Sequence, residues 1–301
     1  KTADNEETGS QPSQAPAAEV SSTAQEINLD IESLDDNSKA LFSSFEEKRI
    51  ILSYQPIISL LNEEVESEDE IHAVGLLQAD DMASVNEEDL RDKVTSKEFK
   101  MYIDRWILRD VIGNLSIKDS IKDSFIINIS DASLADASFF NWFRKILTGL
   151  DSKNLGKYIM LEINNDHLAT LEKQAGALIS YLRKTHDFSF VLGNVKNIDE
   201  IITFTNKFQF DVIRCNSNII KELQEVSAPD DEVAKNGENA TQSQLDLLKS
   251  KQVSFIADDI SDATTLTDTI SIGTEYAMGE FIGEPVTQLD DMTNIESFEI
   301  V

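Results

Sequence analysis

The sequence predicts an α/β protein of the TIM-barrel-like (β/α)8 type, and three observations support that expectation. Short apolar runs of strand length alternate with longer runs whose apolar residues recur at helical spacing. The alternation extends over about 250 residues, the length that eight βα units need. No glycine-rich phosphate turn follows an early strand, which argues against an open doubly wound sheet.

Each element has its own justification. Ala40, Leu41, Phe42 and Phe45 can share one helical face, and residues 50–54 then read as a strand. A short β-branched run at 125–129 predicts a strand. Residues 139–150 predict a helix with Phe139, Phe143, Ile146, Leu147 and Leu150 on one side. The pattern continues with a strand at 158–163, a helix at 168–184, a strand at 188–192 and a helix at 198–208. Residues 210–216 follow as a strand, then a helix at 245–251, a strand at 253–257, a helix at 263–272 and a last strand at 276–278. Two stretches stand outside this frame, an acidic turn at 63–69 and a long polar loop at 226–242, read as mobile.

The domain division follows composition. Residues 1–38 are rich in Ser, Ala, Gln, Pro, Asp and Glu and contain no aromatic residue. Such a segment buries too little apolar surface to offset its ordering entropy, so a disordered acidic linker from a missing upstream region is expected there. Residues 39–288 form the barrel, and 289–301 form a C-terminal tail of mixed character.

Charge and cysteine usage narrow the function. The chain has 301 residues, with 26 basic against 56 acidic side chains and a net charge of -30. That balance opposes a nucleic-acid partner and docking on anionic lipid, both of which need clustered Lys and Arg. Cys215 is the single cysteine, so no disulfide forms within the chain, and its place in an apolar strand predicts a buried, inert thiol. No apolar stretch approaches the length needed to span a bilayer, and no membrane insertion is expected. The start lacks a methionine and a signal-peptide centre; a fragment of a longer cytoplasmic protein is the expected origin.

A series of segments then appears in a definite order: Tyr54-Gln55-Pro56-Ile57-Ile58-Ser59-Leu60, Asn128-Ile129-Ser130, Leu161-Glu162-Ile163, and Met278-Gly279-Glu280-Phe281 before Pro285. This series resembles the EAL domain family, barrels that bind cyclic di-GMP and, in their active members, hydrolyse it with two metal ions. The resemblance covers nearly all of residues 45–287. It implies a site at the C-terminal ends of the strands, where several carboxylates hold the metals. Here His72-Ala73-Val74 stands where Glu-Ala-Leu is expected, and Leu76 stands where an Arg follows. Asn128 and Glu162 match the family's ligands. The Asp-Asp-Phe-Gly turn is Gly193-Asn194-Val195-Lys196, the Lys and Asp of the next strand are Arg214 and Asn216, and the late motif is Ala257-Asp258-Asp259-Ile260-Ser261. The resemblance therefore implies a degenerate domain with no catalytic residues, no metal and no cofactor. His72 with Asp258 is a weaker candidate for a different metal site, since a lone histidine more often completes a local hydrogen bond. His167 and His186 fit helix-end roles. Ser130 and Ser133 have no His nearby in sequence to activate them.

Several stretches also resemble the degenerate EAL domains of the FimX type, which keep cyclic di-GMP as a signal: Ile103-Asp104-Arg105-Trp106, Ala132-Ser133-Leu134 and the run at 219–223. That likeness implies a pocket lined by Gln55, Leu77, Asp104, Met278 and Gly279. Pro56, Leu76, Asn128, Glu162, Arg214 and Asp258 complete the candidate ligand-binding set. Asp104 has a second reading as a solvated position on an amphipathic helix whose Trp106 faces the core. Arg214 and Lys196 are the cations placed to meet phosphate, whereas Leu76 and Asp259 oppose it. The resemblance implies a cyclic di-GMP receptor that regulates type IV pilus machinery through a PilZ-family adaptor and the pilus assembly motor. The alternative is an EAL-fold interaction scaffold that no longer binds nucleotide.

Overall fold

The computed structural model describes residues 27–61, 70–78, 83–85, 94–117, 123–149, 155–227 and 252–287. The predicted turn at 63–69, helix at 245–251 and tail at 289–301 lie outside them, as do residues 1–26 and most of the loop at 226–242.

The strands are β1 (Ile50–Ser59), β2 (Ile71–Gln78), β3 (Ala83–Val85), β4 (Ser124–Ile129), β5 (Ile159–Asn164), β6 (Ser189–Val195), β7 (Val212–Cys215), β8 (Ser254–Ala257) and β9 (Tyr276–Ala277). They pair in the order β1-β9-β8-β7-β6-β5-β4-β2, and a β1–β2 pairing closes that run into an eight-stranded barrel. Seven of the eight run parallel in sequence, as the alternation predicts; β1 is antiparallel to both β2 and β9. The antiparallel β3 extends β2 at its upper end, from Leu76↔Val85 to Gln78↔Ala83.

Helices cover the outside: α1 (Asp36–Glu46), α2 (Lys97–Ile117), α3 (Asp131–Ala135), α4 (Ala137–Gly149), α5 (Asn165–His186), α6 (Ile198–Lys207), α7 (Ser217–Ser227) and α8 (Ala263–Ser271). Several start after short polar side chains that accept from orphan backbone N–H groups. Asn197 caps α6 through Glu200 N, and Asp262 caps α8 through Thr264 N and Thr265 N.

Period-2 alternation divides the apolar residues into two cores. Ile57, Ile126, Met160, Val191, Val212 and Ile256 form a small cluster inside the barrel, joined by Ile71, Ala73, Tyr276 and Met278. The alternate residues, such as Phe125, Ile127, Leu161, Ile163, Phe190, Leu192 and Ile213, join the large core between sheet and helices. Cys215 belongs to that outer core, and burial, followed by the Asp258 and Asp259 charges, pushes its thiol up to about 12. A buried, inert thiol is what its strand position predicts.

Residues ahead of position 38 are packed on the barrel. Asp35 accepts from Ser38 N and Ser38 Oγ, both at 2.9 Å, which starts α1 at Asp36. Ile27 and Leu34 are buried in the outer core ahead of it. Ile27, Leu29, Ile31 and Leu34 are each separated by polar residues, which gives composition little to register, yet Ile27 and Leu34 are buried and Leu29 packs against the same core. Phe42 and Phe45 of α1 then pack edge-on against Phe99, Tyr102 and Trp106 of α2, with Phe45 and Trp106 ring centroids 5.1 Å apart. This aromatic joint makes α1 part of the domain. Truncating Phe45→Ala is expected to lower the unfolding free energy by about 3–5 kcal/mol, read from urea denaturation of the whole chain.

Candidate functional site

The barrel mouth is built by one rule. On most strands the inner-core residue is followed two positions later, on the same face and nearer the strand's C-terminal end, by a residue of the mouth. Ile126 leads to Asn128, Met160 to Glu162, Val191 to Gly193, Val212 to Arg214, Ile256 to Asp258 and Tyr276 to Met278. On antiparallel β1 the same step runs backwards, from Ile57 to Gln55. The apolar layer thus forms a floor, and the polar layer above it holds most of the residues the sequence singled out.

A charged triad dominates that layer. Arg214 Nη1 lies 3.0 Å from Glu162 Oε2, and Arg214 Nε lies 3.6 Å from Asp258 Oδ2. Glu162 is wholly buried, whereas Arg214 and Asp258 keep 21% and 30% of their side chains exposed. A buried carboxylate is tolerated only when its charge is matched, and the guanidinium supplies the match. Gly193 makes room for the arrangement. A Cβ at that position would stand 2.2 Å from Glu162 Oε1 and 2.9 Å from Asn164 Oδ1.

Other candidates are engaged by the protein itself. Gln55 donates from Nε2 to the carbonyls of Gly283 at 2.7 Å and Gly279 at 3.5 Å. Pro56 lies beneath that same segment, 3.0 Å from where a Cβ on Gly283 would sit. Gly279 adopts φ +145°, and a Cβ there would meet the Ile260 carbonyl oxygen at 2.3 Å, so the turn beside Met278 requires glycine. Asp104 is fully buried; its Oδ2 accepts from Ser130 N at 3.0 Å and Ser130 Oγ at 2.5 Å. It ties α2 to the end of β4, and neither the solvated position nor a mouth-lining role describes it. Lys196 reaches Asp166 at 2.8 Å in an exposed pair. Asp259 accepts from Asn216 Nδ2, Ser217 N and Ser217 Oγ at the start of α7, so its charge is spent on the helix end.

Alternation also re-sorts β2. Ile71 and Ala73 join the inner cluster, so Gly75 and Leu77 share their face, while Val74 and Leu76 are buried in the outer core. A first-strand ligand must point into the barrel. Ala73, Gly75 and Leu77 do so, whereas His72 points outward against Phe125, with ring centroids 5.8 Å apart. Leu77, not Leu76, is therefore the β2 leucine that lines the interior. The apolar sequence Ile71-His72-Ala73-Val74-Gly75-Leu76-Leu77 has no alternation from which to read the correct face, and a one-residue shift exchanges the two.

The family model for the EAL domain matches residues 38–285. The chain belongs to the EAL domain family. Solved EAL domains share its fold. The FimX EAL domain from Pseudomonas aeruginosa bound to c-di-GMP is 18% identical, with a TM-score of 0.65 over 84% of this chain and 98% of that one. The Xanthomonas citri FimX EAL domain in complex with c-di-GMP is 15% identical, with a TM-score of 0.61 over 91% and 98%. The PaMucR phosphodiesterase in its c-di-GMP complex is 12% identical, with a TM-score of 0.59 over 86% and 100%. Among curated proteins none matches.

The mouth of this EAL domain does not fit a pair of divalent ions as arranged. Such a pair requires several oxygen donors free to surround each metal. Here Glu162 and Asp258 both lie against the Arg214 guanidinium, the inward residues of β2 (Ala73, Gly75 and Leu77) offer no side-chain donor, and Gly193 has no side chain. Among the described residues, no His, Cys, Asp or Glu of the mouth belongs to a group with metal-binding spacing.

Two substitutions test this geometry. Gly193→Ala is expected to cost about 1–3 kcal/mol by displacing the Glu162 carboxylate. In a Glu162→Ala background most of that cost should vanish, which a double-mutant cycle of denaturation free energies reads directly. Asp104→Ala should cost about 3 kcal/mol by stranding the buried Ser130 donors, again by denaturation.

Proposed function

We propose that this EAL domain is a catalytically inactive barrel that acts by binding, as a cyclic di-GMP receptor whose occupancy is passed to a partner protein. The observation behind this reading is the Arg214 guanidinium lying against Glu162 and Asp258. A fixed organic cation stands among the carboxylates from which hydrolysis would have to recruit metal. It offsets one of the two carboxylate charges without activating water, and its exposed portion offers nitrogen donors to a phosphodiester. Lys196 is the second cation at a strand end. Its exposed pair with Asp166 is worth no more than about 1 kcal/mol, so a phosphate could exchange for it at little cost. The FimX EAL domains solved with c-di-GMP share this fold, which favours the same class of ligand. By the same likeness, the downstream partner is a PilZ-family adaptor and the pilus assembly motor of type IV pili, in the cytoplasm. The division into an upstream linker, the barrel and a C-terminal tail belongs to this reading, with Ile27 and Leu34 packed on the barrel's outer core.

A second reading, the interaction scaffold, draws on a different observation. Gln55 and Asp104 spend their polar groups on Gly283, Gly279 and Ser130 rather than on the mouth.

Titration calorimetry of the 301-residue chain with cyclic di-GMP, with and without magnesium, separates the two. The receptor reading expects a micromolar or tighter complex, about −8 kcal/mol or better, with no dependence on magnesium. It also expects no linear product on prolonged incubation with magnesium or manganese. Turnover above background would overturn inactivity, and an absence of binding would leave the scaffold. Arg214→Met is expected to weaken the nucleotide at least about tenfold and to lower protein stability by about 3 kcal/mol, because Glu162 would keep a buried charge without its counterion.

A further inference from the structure

At the opposite end of the barrel, Glu70, His72 and Asp123 come together where β2 and β4 begin. One ligand atom from each lies within 4.8 Å of the other two. Their placement follows from the ladder. Glu70 and His72 are two residues apart and share the outer face of the strand entrance. The parallel register Ile71↔Ser124 sets Asp123 beside Glu70, and Ser124 N donates to the Glu70 carbonyl at 2.7 Å. Three side chains of metal-ligating type thus stand on two hydrogen-bonded strands, whose backbone fixes their spacing.

We propose that this cluster is a binding site for a first-row divalent transition-metal ion such as zinc, cobalt or manganese. Two carboxylates side by side on neighbouring strands repel one another, and the arrangement is unfavourable unless a cation stands between them. The imidazole is the group that gives the cluster its selectivity. His72 is 1% exposed, and its Nε2 lies 3.5 Å from Glu70 Oε2, on the carboxylate side of the ring. An imidazole nitrogen with two carboxylate oxygens suits zinc and its neighbours, whereas magnesium and calcium prefer oxygen alone. The packing of His72 against Phe125 fixes the ring plane. With three protein ligands, water or a partner side chain would complete the coordination. The site is independent of the mouth and of any nucleotide bound there.

A protonated His72 is the competing cation for the two carboxylates, and the experiment separates the alternatives. The full chain, freed of metal with a chelator, is titrated with cobalt(II), zinc and magnesium. The proposal expects one equivalent of cobalt with a visible absorption band, displacement by zinc, and a melting temperature that rises by several degrees with zinc but not with magnesium. His72→Gln and Asp123→Asn should each weaken zinc binding at least about tenfold. Asp123, partly exposed at the strand entrance, keeps the test decisive if the buried histidine variant fails to fold. No saturable cobalt or zinc binding would overturn the site, as would binding that Asp123→Asn leaves unchanged. Stabilisation by mild acid alone, with no response to zinc, would assign the role to the imidazolium instead.

Discussion

Closure of the ring depends on β1. It lies antiparallel between β2 and β9, pairing along eight positions with the first and at Ile58 and Ser59 with the second. Without that strand the remaining sheet would be an open layer with two edges, and its inner face would have no enclosed interior to pack against. Closure converts alternation along each strand into depth within the barrel. The apolar residues become a floor, the positions two further along become the mouth, and the intervening residues face the helices. The identity of every site residue follows from that one geometric condition.

Electrostatics at the mouth are the second organising constraint. Glu162 sits at full burial in a chain of net charge -30, where a carboxylate is hard to accommodate. Arg214 resolves the conflict locally, and Gly193 leaves the space in which the two groups meet. These three residues form a unit: the side chain absent at 193 is as necessary as the charges at 162 and 214. The Arg214 guanidinium is thus the counter-charge on which the burial of Glu162 depends.

Much of the fold was legible in the sequence because buried parallel strands are short apolar runs and the covering helices keep their period. The runs at 125–129, 158–163 and 253–257 needed no further information. Asn128, Glu162, Arg214, Asp258 and Met278 were legible as mouth residues because each ends such a run. The face of β2 was not, since 71–77 is apolar on both sides and only pairing with β1 reveals that Ala73 and Leu77 turn inward. Asp104 was misleading for another reason. A carboxylate beside Arg and Trp on a helix can be solvated or buried with equal sequence support, and its partner Ser130 is 26 residues away. Ile27 and Leu34 were missed because the aliphatic residues of 27–34 are interleaved with polar ones in a segment without aromatics, which composition reads as polar.

The pairing of Tyr54 with Val286 has a consequence for where this domain can be cut. Tyr54 N donates to the Val286 carbonyl at 2.8 Å, and Val286 N donates back to Tyr54 at 3.0 Å. The stretch after β9 thus continues along the flank of β1, secured further by the Gln55 amide. The family match stops at residue 285. A fragment trimmed to that limit would lose the far half of a reciprocal backbone pair and leave a donor and an acceptor of β1 facing water. The domain is held by a closed stitch between its first strand and Val286, one residue past the boundary that sequence similarity draws.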